Sequence, residues 1–450
     1  MLALRRYLNQ PVDAASVAVF RMMFGWLMAL EVMRYVRFGF VKKQFIDPSF
    51  HFTFMGFDWV RPHGAWFIYA LYALLAVCAL GIAWGYFYRL CAWVFTAGFA
   101  YVFLLDAPCY LNHYYVIALV AFALSVIPAA TIWSTDAERR EPIVQETMPR
   151  WCLLLLRTQL LIVYVYGGIA KINADWFRGQ PLRMWLSPLA DTPIVGGIFE
   201  YEFTFLALSW GGFFLDACVA PLLLFRRTRT VALVSLGCFH VCNALIFSIG
   251  IFPPMMLAAN LLFLEPDWPR KLSALLKKRL RLESLERKTT GLERAKSAPL
   301  HQGTLLLLTS FLLVQLLLPF RHHLYPGDVA WTEEGHRFSW RMKLRQKSGD
   351  VKFFIQKSGD ADKKQVSIFD SLTPKQVKKM TCHPDMILQY AHRLGEHHRS
   401  EDGTLPQVFA SARCSLNGGP VGALIDESVN LVAQPRSIYP YHWVLPRPPG

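Results

Sequence analysis

The sequence predicts a mainly α-helical membrane protein: a polytopic transmembrane helical bundle of about eight to nine spans, followed by a small C-terminal α+β domain outside the membrane. The first observation is composition. The 450 residues are 54% hydrophobic and 14% aromatic, and the mean hydropathy is +0.29, which is too apolar for a soluble protein of this size. The second is a succession of apolar runs before residue 321, after which the sequence becomes polar.

Basic residues separate the apolar runs. A formal net charge of +15 could indicate nucleic-acid binding, but the lysines and arginines do not form a patch on a soluble domain. They lie between hydrophobic segments, where such residues set membrane topology and contact anionic lipid headgroups. The predicted partner is therefore the lipid bilayer, and no nucleic acid is expected.

Nine segments are apolar over lengths that suit transmembrane helices. The seventh and eighth form one stretch broken by Gly250, Pro253 and Pro254, which we interpret as two passes with a kinked or re-entrant turn between them. The eighth is short for a full crossing. The segments are residues 16–33, 66–84, 89–105, 114–132, 151–170, 203–225, 230–249, 251–264 and 303–320.

The positive charges also predict an orientation. If residues 5–6, 139–140, 226–229 and 270–295 are all cytoplasmic, the chain makes nine passes with the N-terminus inside and the C-terminus outside. Lys42 and Lys43 would then lie outside, which argues against this topology. The predicted parts are a bundle at 1–265, a basic cytoplasmic linker or interfacial helix at 266–302, the last span at 303–320 and an extracytoplasmic domain at 321–450.

The C-terminal part has the patterns of a small folded domain. Residues 351–355 and 365–368, joined by a Ser-Gly-Asp turn, predict a hairpin. Residues 374–394 have helical spacing, and 408–415 predict a further strand. Cys382 and Cys414 lie in this polar part and could pair if it faces an oxidising compartment.

A lysine ends the fifth apolar run. Gly167 and Gly168 in that run would let a neighbouring helix or a flat ligand approach the backbone closely. Lys171 follows one turn later, and Asp175 lies four residues beyond it. Lys171 is either a lysine snorkelling at the membrane interface and paired with Asp175, or a base in a partly dry pocket. Spacing alone does not choose between the two.

A histidine lies inside the seventh segment. His240 is bracketed by Cys238 and Cys242, but two thiols and one imidazole within a span make a poor metal site, and we predict no metal. An intramembrane histidine is expected to face the protein interior or a cavity. It is either hydrogen-bonded between helices or part of a functional site.

Seven stretches together resemble a known family, the vitamin K-dependent γ-glutamyl carboxylases and their bacterial relatives, whose membrane part is the HTTM domain. The resemblance covers about residues 10 to 445, and its motifs occur in the right order. They are residues 11–25, 101–106, 111–115, 168–176, 239–240 with 247–252, 266–271 and 338–340.

The resemblance implies an activity and roles for particular residues. Reduced vitamin K, a naphthohydroquinone, would be oxidised by O2 to its epoxide, and glutamate side chains of a protein or peptide would be carboxylated with CO2. Lys171 would be the catalytic base that deprotonates the hydroquinone. A quinone reductase would be a further partner. The residues expected to bind or orient quinone or substrate are Asn112, His113, Asp175, His240 and His322.

The sequence also departs from the animal enzymes. It lacks their long C-terminal region, which makes recognition of a substrate propeptide doubtful, and the positions near Phe54 and Arg393 that match their cross-linking cysteines are not cysteine. These departures favour a bacterial-type homologue in an inner membrane over a protein of the endoplasmic reticulum. The alternative function is a quinone-binding or transport protein that keeps the fold without carboxylation.

Overall fold

The computed structural model describes residues 2–139, 146–193, 196–247, 249–280, 300–357, 359–369 and 371–449. Helices account for most of these residues. The helices are α1 (Leu2–Leu8), α2 (Ala15–Arg37), α3 (Ala65–Trp84), α4 (Tyr88–Leu104), α5 (Asn112–Val126), α6 (Thr135–Glu138), α7 (Arg150–Ala170), α8 (Ala174–Phe177), α9 (Leu182–Leu186), α10 (Glu202–Leu224), α11 (Arg229–Ile246), α12 (Phe252–Asn260), α13 (Trp268–Arg279), α14 (Gln302–Leu317), α15 (Val329–Thr332), α16 (Pro374–Met380) and α17 (Pro384–His397). The strands are β1 (Pro11–Asp13), β2 (Thr147–Pro149), β3 (Lys347–Gln356), β4 (Lys364–Val366), β5 (Gln407–Leu416) and β6 (Gly422–Ala423).

Each of the nine predicted apolar segments is helical over most of its length, which confirms a helical membrane bundle. Among the described residues, six helices are long and apolar enough to cross a bilayer: α2, α3, α7, α10, α11 and the stretch Gln302–Leu324, in which α14 continues as a 3₁₀ helix. The helices α4, α5 and the stretch Phe252–Phe263 are apolar but shorter. The nine-pass topology, and the sides on which the ends lie, stay predictions.

A buried arginine and a half-buried arginine hold helix ends together. Arg21 of α2 is fully buried and donates from Nη1 to the carbonyls of Ile82 (2.8 Å) and Ala83 (3.1 Å) at the end of α3. Arg157 of α7 donates to the carbonyls of Leu262 (2.7 Å) and Leu264 (2.9 Å). Because the last carbonyls of a helix have no intrahelical partner, each guanidinium satisfies groups that would otherwise be unpaired in an apolar interior.

The C-terminal part is an antiparallel sheet in the order β4-β3-β5-β6, with α17 packed on β5 and α16 packed against α17. Strand β3 pairs with β5 over ten residues, from Lys347↔Leu416 to Gln356↔Gln407. It also pairs with β4, as at Phe353↔Val366, which confirms the predicted hairpin. Residue 358 of its predicted turn lies outside the described residues.

The single helix predicted over residues 374–394 is wrong. The chain forms two helices, α16 and α17, with a break at residues 381–383. Pro384 begins α17 at a position where its missing N–H needs no partner, and the helix cannot run back through it without losing a hydrogen bond. The α17 face predicted to be apolar is nevertheless buried, including Met386, Leu388, Ala391 and Leu394.

Loops of the membrane bundle complete the core of the C-terminal domain. Phe52 and Phe54, which follow α2, are buried in the same apolar cluster as residues of the sheet and α17. Gln389 of α17 accepts the N–H of Thr53 (2.9 Å), and Arg436 donates to the carbonyl of Thr53 (2.9 Å). The domain is thereby fixed against one end of the bundle.

The predicted interfacial segment is only partly described. Its first part forms α13, which is tied to the bundle by the Arg270–Asp13 ion pair (2.9 Å), while residues 281–299 lie outside the described residues. Leu272, Leu275 and Leu276 of α13 are exposed beside basic residues of its last turn. That composition is typical of a helix lying in a membrane interface.

A disulfide joins Cys382 and Cys414, with Cα atoms 6.0 Å apart, which confirms the predicted pairing. It closes a loop with a sequence separation of 32 residues. A loop of this length restricts the unfolded chain, so we expect the Cys382→Ala/Cys414→Ala variant to lose about 3–4 kcal/mol of unfolding free energy from the C-terminal domain. Thermal unfolding of the purified full-length chain in detergent measures this. Cys238→Ala, at an exposed position on α11, is the control and should leave the transition unchanged.

Candidate active site

Lys171 is the C-cap residue that directly follows α7, and it is almost completely buried, with an exposed fraction of 7%. Its Nζ donates to the carbonyl of Gly167 (3.2 Å) and forms an ion pair with Asp216 of α10, which is itself 5% exposed. The amine also lies over the ring of Trp176, 5.3 Å from its centroid. The lysine is therefore held in a pocket between two helices and does not snorkel to an interface.

The alternative that paired Lys171 with Asp175 is wrong for a local reason. Helix α7 ends at Ala170, and Asn173 starts the new helix α8 by accepting the N–H of Trp176 (2.9 Å). The i, i+4 relationship therefore does not hold across these residues. Asp175 instead accepts a hydrogen bond from Asn417 (2.9 Å) and pairs with Arg447 (3.1 Å), both in the C-terminal domain.

Glycines let α10 approach the lysine. A Cβ on Gly168 would lie 3.0 Å from the backbone N of Ala217, and one on Gly167 would lie 3.0 Å from Asp216 Oδ2. Gly212 of α10 faces the same space, since its Cβ would lie 3.9 Å from Lys171 Cε. The close approach predicted from Gly167 and Gly168 is thus confirmed.

His113 and His240 both contact one aromatic ring, that of Phe252. The centroid of Phe252 is 5.7 Å from that of His113 at the start of α5, and 5.9 Å from that of His240 in α11. His240 Nε2 is 3.2 Å from Tyr164 Oη, which also bonds to Asn260 Oδ1 (2.9 Å). Two of the predicted site histidines are therefore near one another, although they come from distant parts of the chain.

The side chains of Asn112 and His322 make other contacts: those of Asn112 reach the C-terminal part of the chain, and that of His322 is local to its own helical turn. Asn112 accepts from Tyr110 Oη (2.9 Å) and donates to the carbonyl of Arg341 (3.5 Å). His322 Nδ1 lies 2.7 Å from the carbonyl oxygen of Pro319. Like Asp175, Asn112 links the membrane bundle to the C-terminal part of the chain.

Several residues of the site were missed in the sequence. Asp216 had a signal, since it is the only charged residue between 203 and 225 and an intramembrane carboxylate is usually functional. Tyr164 and Asn260 gave no signal of their own. Their positions beside His240 depend on how α7, α11 and α12 pack.

A second buried charge, Glu31, lies near His113 in the folded structure. Glu31 of α2 is 4% exposed and accepts two hydrogen bonds from Arg34, each of 2.7 Å, and one of 2.5 Å from Tyr114 Oη. Tyr114 also contacts His113, with the ring centroids 4.7 Å apart. Tyr114 therefore lies between His113 and a carboxylate that accepts three hydrogen bonds.

A strained loop of the C-terminal part covers the bundle end. Phe338, Trp340 and Lys343 have φ values of +62°, +54° and +51°, a region that side chains with a Cβ rarely adopt. Phe338 and Trp340 pack against Tyr115 of α5, with centroids 5.0 and 4.8 Å away. Met342 reaches toward Gly167, whose Cβ would lie 3.8 Å from its Cε. The loop thus forms a roof next to the Lys171–Asp216 pair.

A cleft opens between α8, α9, α10 and the turn after β5. Its volume is about 550 Å³. Asp175, next in sequence to the Trp176 ring that covers Lys171, is part of its wall. The charged and amide residues that line it include Asp175, Arg178, Arg183, Glu202, Asn417 and Arg447.

Asp106, in the loop between α4 and α5, gives the protein a pH-dependent element. Burial raises the pKa of this carboxyl to about 7, while the N–H of Phe52 (2.9 Å) opposes the shift. Since its pKa in the folded state is raised, the folded protein binds the proton more tightly than the unfolded chain does between about pH 4 and 7. The stability contributed by protonated Asp106 is complete below this window and is lost as the pH rises through it.

We therefore expect the melting temperature of Asp106→Asn, relative to that of the wild type, to rise as the pH is raised from about 5 to 8, because only the wild type loses the contribution of a protonated Asp106. Thermal unfolding of both proteins in detergent across this pH range measures the difference. Asp350→Asn, at an exposed position on β3, is the matched control and should show no such trend. A difference between Asp106→Asn and the wild type that stays constant over this range would contradict the prediction.

The described residues define a class of protein: a polytopic membrane protein with a buried lysine–carboxylate pair beneath a small extramembrane domain. No group of three or more potential metal ligands occurs in the described part of the chain. A family model described as HTTM domain matches residues 9–268, and one described as vitamin K-dependent gamma-carboxylase, lumenal domain, matches residues 300–449. The chain belongs to the vitamin K-dependent gamma-carboxylase family. No solved structure matches it.

Proposed function

We propose that the protein oxidises reduced vitamin K to its epoxide with O2 and couples this oxidation to carboxylation of glutamate side chains with CO2. The observation that carries the proposal is the Lys171–Asp216 pair, buried at the end of α7 beneath the C-terminal domain. A buried ion pair in a membrane bundle is a poor source of stability and is usually retained for function.

The residues around the pair fit a reduced naphthoquinone. The ring of Phe252 is a flat apolar group that contacts both His113 and His240. His240 Nδ1 and Asn260 Nδ2 are buried and have no partner among the described residues, so they are free to bind quinol oxygens. When bound, the hydroquinone supplies the oxidisable ring whose reaction with O2 drives removal of the glutamate γ-proton.

Lys171 is the base in this proposal. The carboxylate of Asp216 and the carbonyl of Gly167 fix the position of Nζ inside the bundle. Nζ then accepts the proton of a quinol hydroxyl, and the resulting ammonium stabilises the negative charge left on the oxygen. The roof residue Met342 and the ring of Trp176 help to exclude water from Nζ.

The cleft is the proposed approach for the glutamate-containing protein or peptide. It joins the outer surface to Asp175, and Arg178 is an exposed cation on its wall. An acidic side chain would be attracted there. A quinone reductase that regenerates the hydroquinone, an inner-membrane location and an extracytoplasmic C-terminal domain belong to the same proposal.

The test uses the purified full-length chain in lipid nanodiscs, supplied with vitamin K hydroquinone, O2, labelled bicarbonate and a short glutamate-containing peptide. Formation of the epoxide together with label in the peptide would support the proposal. Epoxide without labelled peptide would restrict the function to oxidation. Binding of hydroquinone without any turnover would overturn the enzymatic proposal in favour of a quinone-binding protein. Movement of a solute across vesicles that contain the protein, without quinone turnover, would favour a transport protein.

A further inference from the structure

Three side chains from three helices form a buried polar group next to the Lys171 site. Tyr164 of α7, His240 of α11 and Asn260 of α12 have exposed fractions of 4%, 1% and 3%. Tyr164 Oη lies 3.2 Å from His240 Nε2 and 2.9 Å from Asn260 Oδ1, so the phenol connects the other two.

Two atoms of this group have no partner. Among the described residues, neither His240 Nδ1 nor Asn260 Nδ2 makes a hydrogen bond, although both side chains are more than nine-tenths buried. Buried polar atoms are almost always paired in proteins, because an unpaired one loses its hydration without compensation. The unpaired atoms therefore point to a polar ligand.

The hydrogen-bonding capacity that remains is the same whichever way the amide and the imidazole are oriented. If Tyr164 donates to Asn260 Oδ1 and accepts from His240 Nε2, the imidazole Nδ1 is left as an acceptor and the amide nitrogen as a donor. If the amide is rotated, Tyr164 donates to Nε2 and accepts from the amide, which leaves an Nδ1–H donor and an amide oxygen acceptor. With neutral imidazole, at least one donor and at least one acceptor remain in either arrangement.

A hydroxyl group is the complement of one donor and one acceptor, because it can accept one hydrogen bond and donate another. A quinone carbonyl only accepts and would leave one of the two groups unpaired. We propose that Tyr164, His240 and Asn260 form a subsite for one hydroxyl of the hydroquinone, and that this subsite makes the protein select the reduced form over the oxidised form. The inference rests on the proposed function and adds Tyr164 and Asn260 as specificity-determining residues.

The position of the subsite suits the second hydroxyl. Tyr164, Gly167 and Lys171 share one face of α7 at i, i+3 and i+7. Because Lys171 Nζ reaches back to the carbonyl of Gly167 (3.2 Å), the amine lies about one helical turn, roughly 5 Å, from the level of Tyr164. The base and the subsite therefore lie on the same side of α7, about one turn apart along its axis. One hydroxyl can therefore meet the base while the other occupies the subsite.

The experiment measures binding of 2-methyl-1,4-naphthohydroquinone and of its quinone to the full-length protein in detergent, without O2. We expect the wild type to bind the hydroquinone about tenfold more tightly or better, since the quinone leaves a buried group unpaired. A tenfold ratio would also raise the midpoint potential of the bound couple by about 30 mV.

Asn260→Leu keeps the volume and removes the amide, so Tyr164 and His240 can adapt to either oxygen type. The ratio of the two dissociation constants should fall toward one. Gln315→Leu is the matched control, because Gln315 is a buried bundle amide that accepts from Tyr115 Oη (2.9 Å) away from this subsite. It should keep the wild-type ratio even if stability is lowered.

The outcomes separate this inference from the function on which it rests. Equal binding of both redox forms by the wild type overturns the inference and leaves the proposed function intact. An Asn260→Leu variant that weakens both forms equally does the same. If the wild type binds neither form, the proposed function itself fails, and the subsite with it.

Discussion

Replacing Lys171 with alanine should abolish epoxide formation from vitamin K hydroquinone, with a loss of at least about a thousandfold in rate. A positioned general base contributes a factor of about 10² to 10⁴, and the short side chain of alanine also leaves Asp216 without its counter-charge. The measurement is the initial rate of epoxide formation at saturating hydroquinone, with the protein in nanodiscs.

This variant needs a control for folding. Removing one partner of a buried ion pair can destabilise a protein by about 3–5 kcal/mol, because the other charge remains buried and unpaired. The Lys171→Ala/Asp216→Ala variant removes both charges and should recover the wild-type melting temperature more closely, while remaining inactive. Lys271→Ala, an exposed lysine on α13, should keep full activity. Epoxide formation by the double variant at the wild-type rate would show that Lys171 is not the base.

Gly25→Val should strongly destabilise the packing of α2 against α3. A Cβ on Gly25 of α2 would lie 2.4 Å from the backbone N of Ala83 and 2.6 Å from the carbonyl oxygen of Ala79 in α3. Overpacking a core costs about 1–3 kcal/mol when side chains can shift. Here the obstacle is backbone, so α2 and α3 must separate, and we expect the upper end of this range or more.

The melting temperature of the purified protein measures the effect, with Gly237→Val as the matched control. Gly237 lies in α11, and a Cβ there would meet no described atom within 4 Å. The same chemical change should therefore be nearly neutral at Gly237. Equal melting temperatures for the two variants would mean that α2 and α3 do not pack at Gly25 as described.

The Lys171–Asp216 pair and the Glu31–Arg34 pair differ in what they leave available for chemistry. Glu31 is held by Arg34 and Tyr114, and its oxygens already accept three hydrogen bonds. Lys171 Nζ has one carboxylate and one carbonyl as partners, and it lies over the ring of Trp176. The lysine pair is thus the better candidate for proton transfer, and the glutamate network the better candidate for holding α2 against α5.

Local features of the site were accessible from sequence, and its pairings were not. The Lys171-Ile-Asn-Ala-Asp-Trp176 motif placed a lysine at the end of an apolar helix, and Gly167 and Gly168 predicted a close helix neighbour. Which helix supplies the counter-charge depended on packing. The local alternative, Asp175 at i+4, failed because Asn173 starts a new helix between the two residues.

The sequence by itself determined the membrane character, the nine helical segments, the lysine at the end of α7 and the two cysteines that pair, because each depends on composition or local spacing. The tertiary structure decided the partner of Lys171 and the contact of His113 and His240 with Phe252. It also decided that Tyr164, His240 and Asn260 form one hydrogen-bonded group. The partners of Lys171 and of Tyr164 lie 45 to 96 positions away in the chain. The physical reason is that hydrophobic burial specifies which residues lie inside, whereas hydrogen bonds and charge pairs are fixed only when particular helices meet.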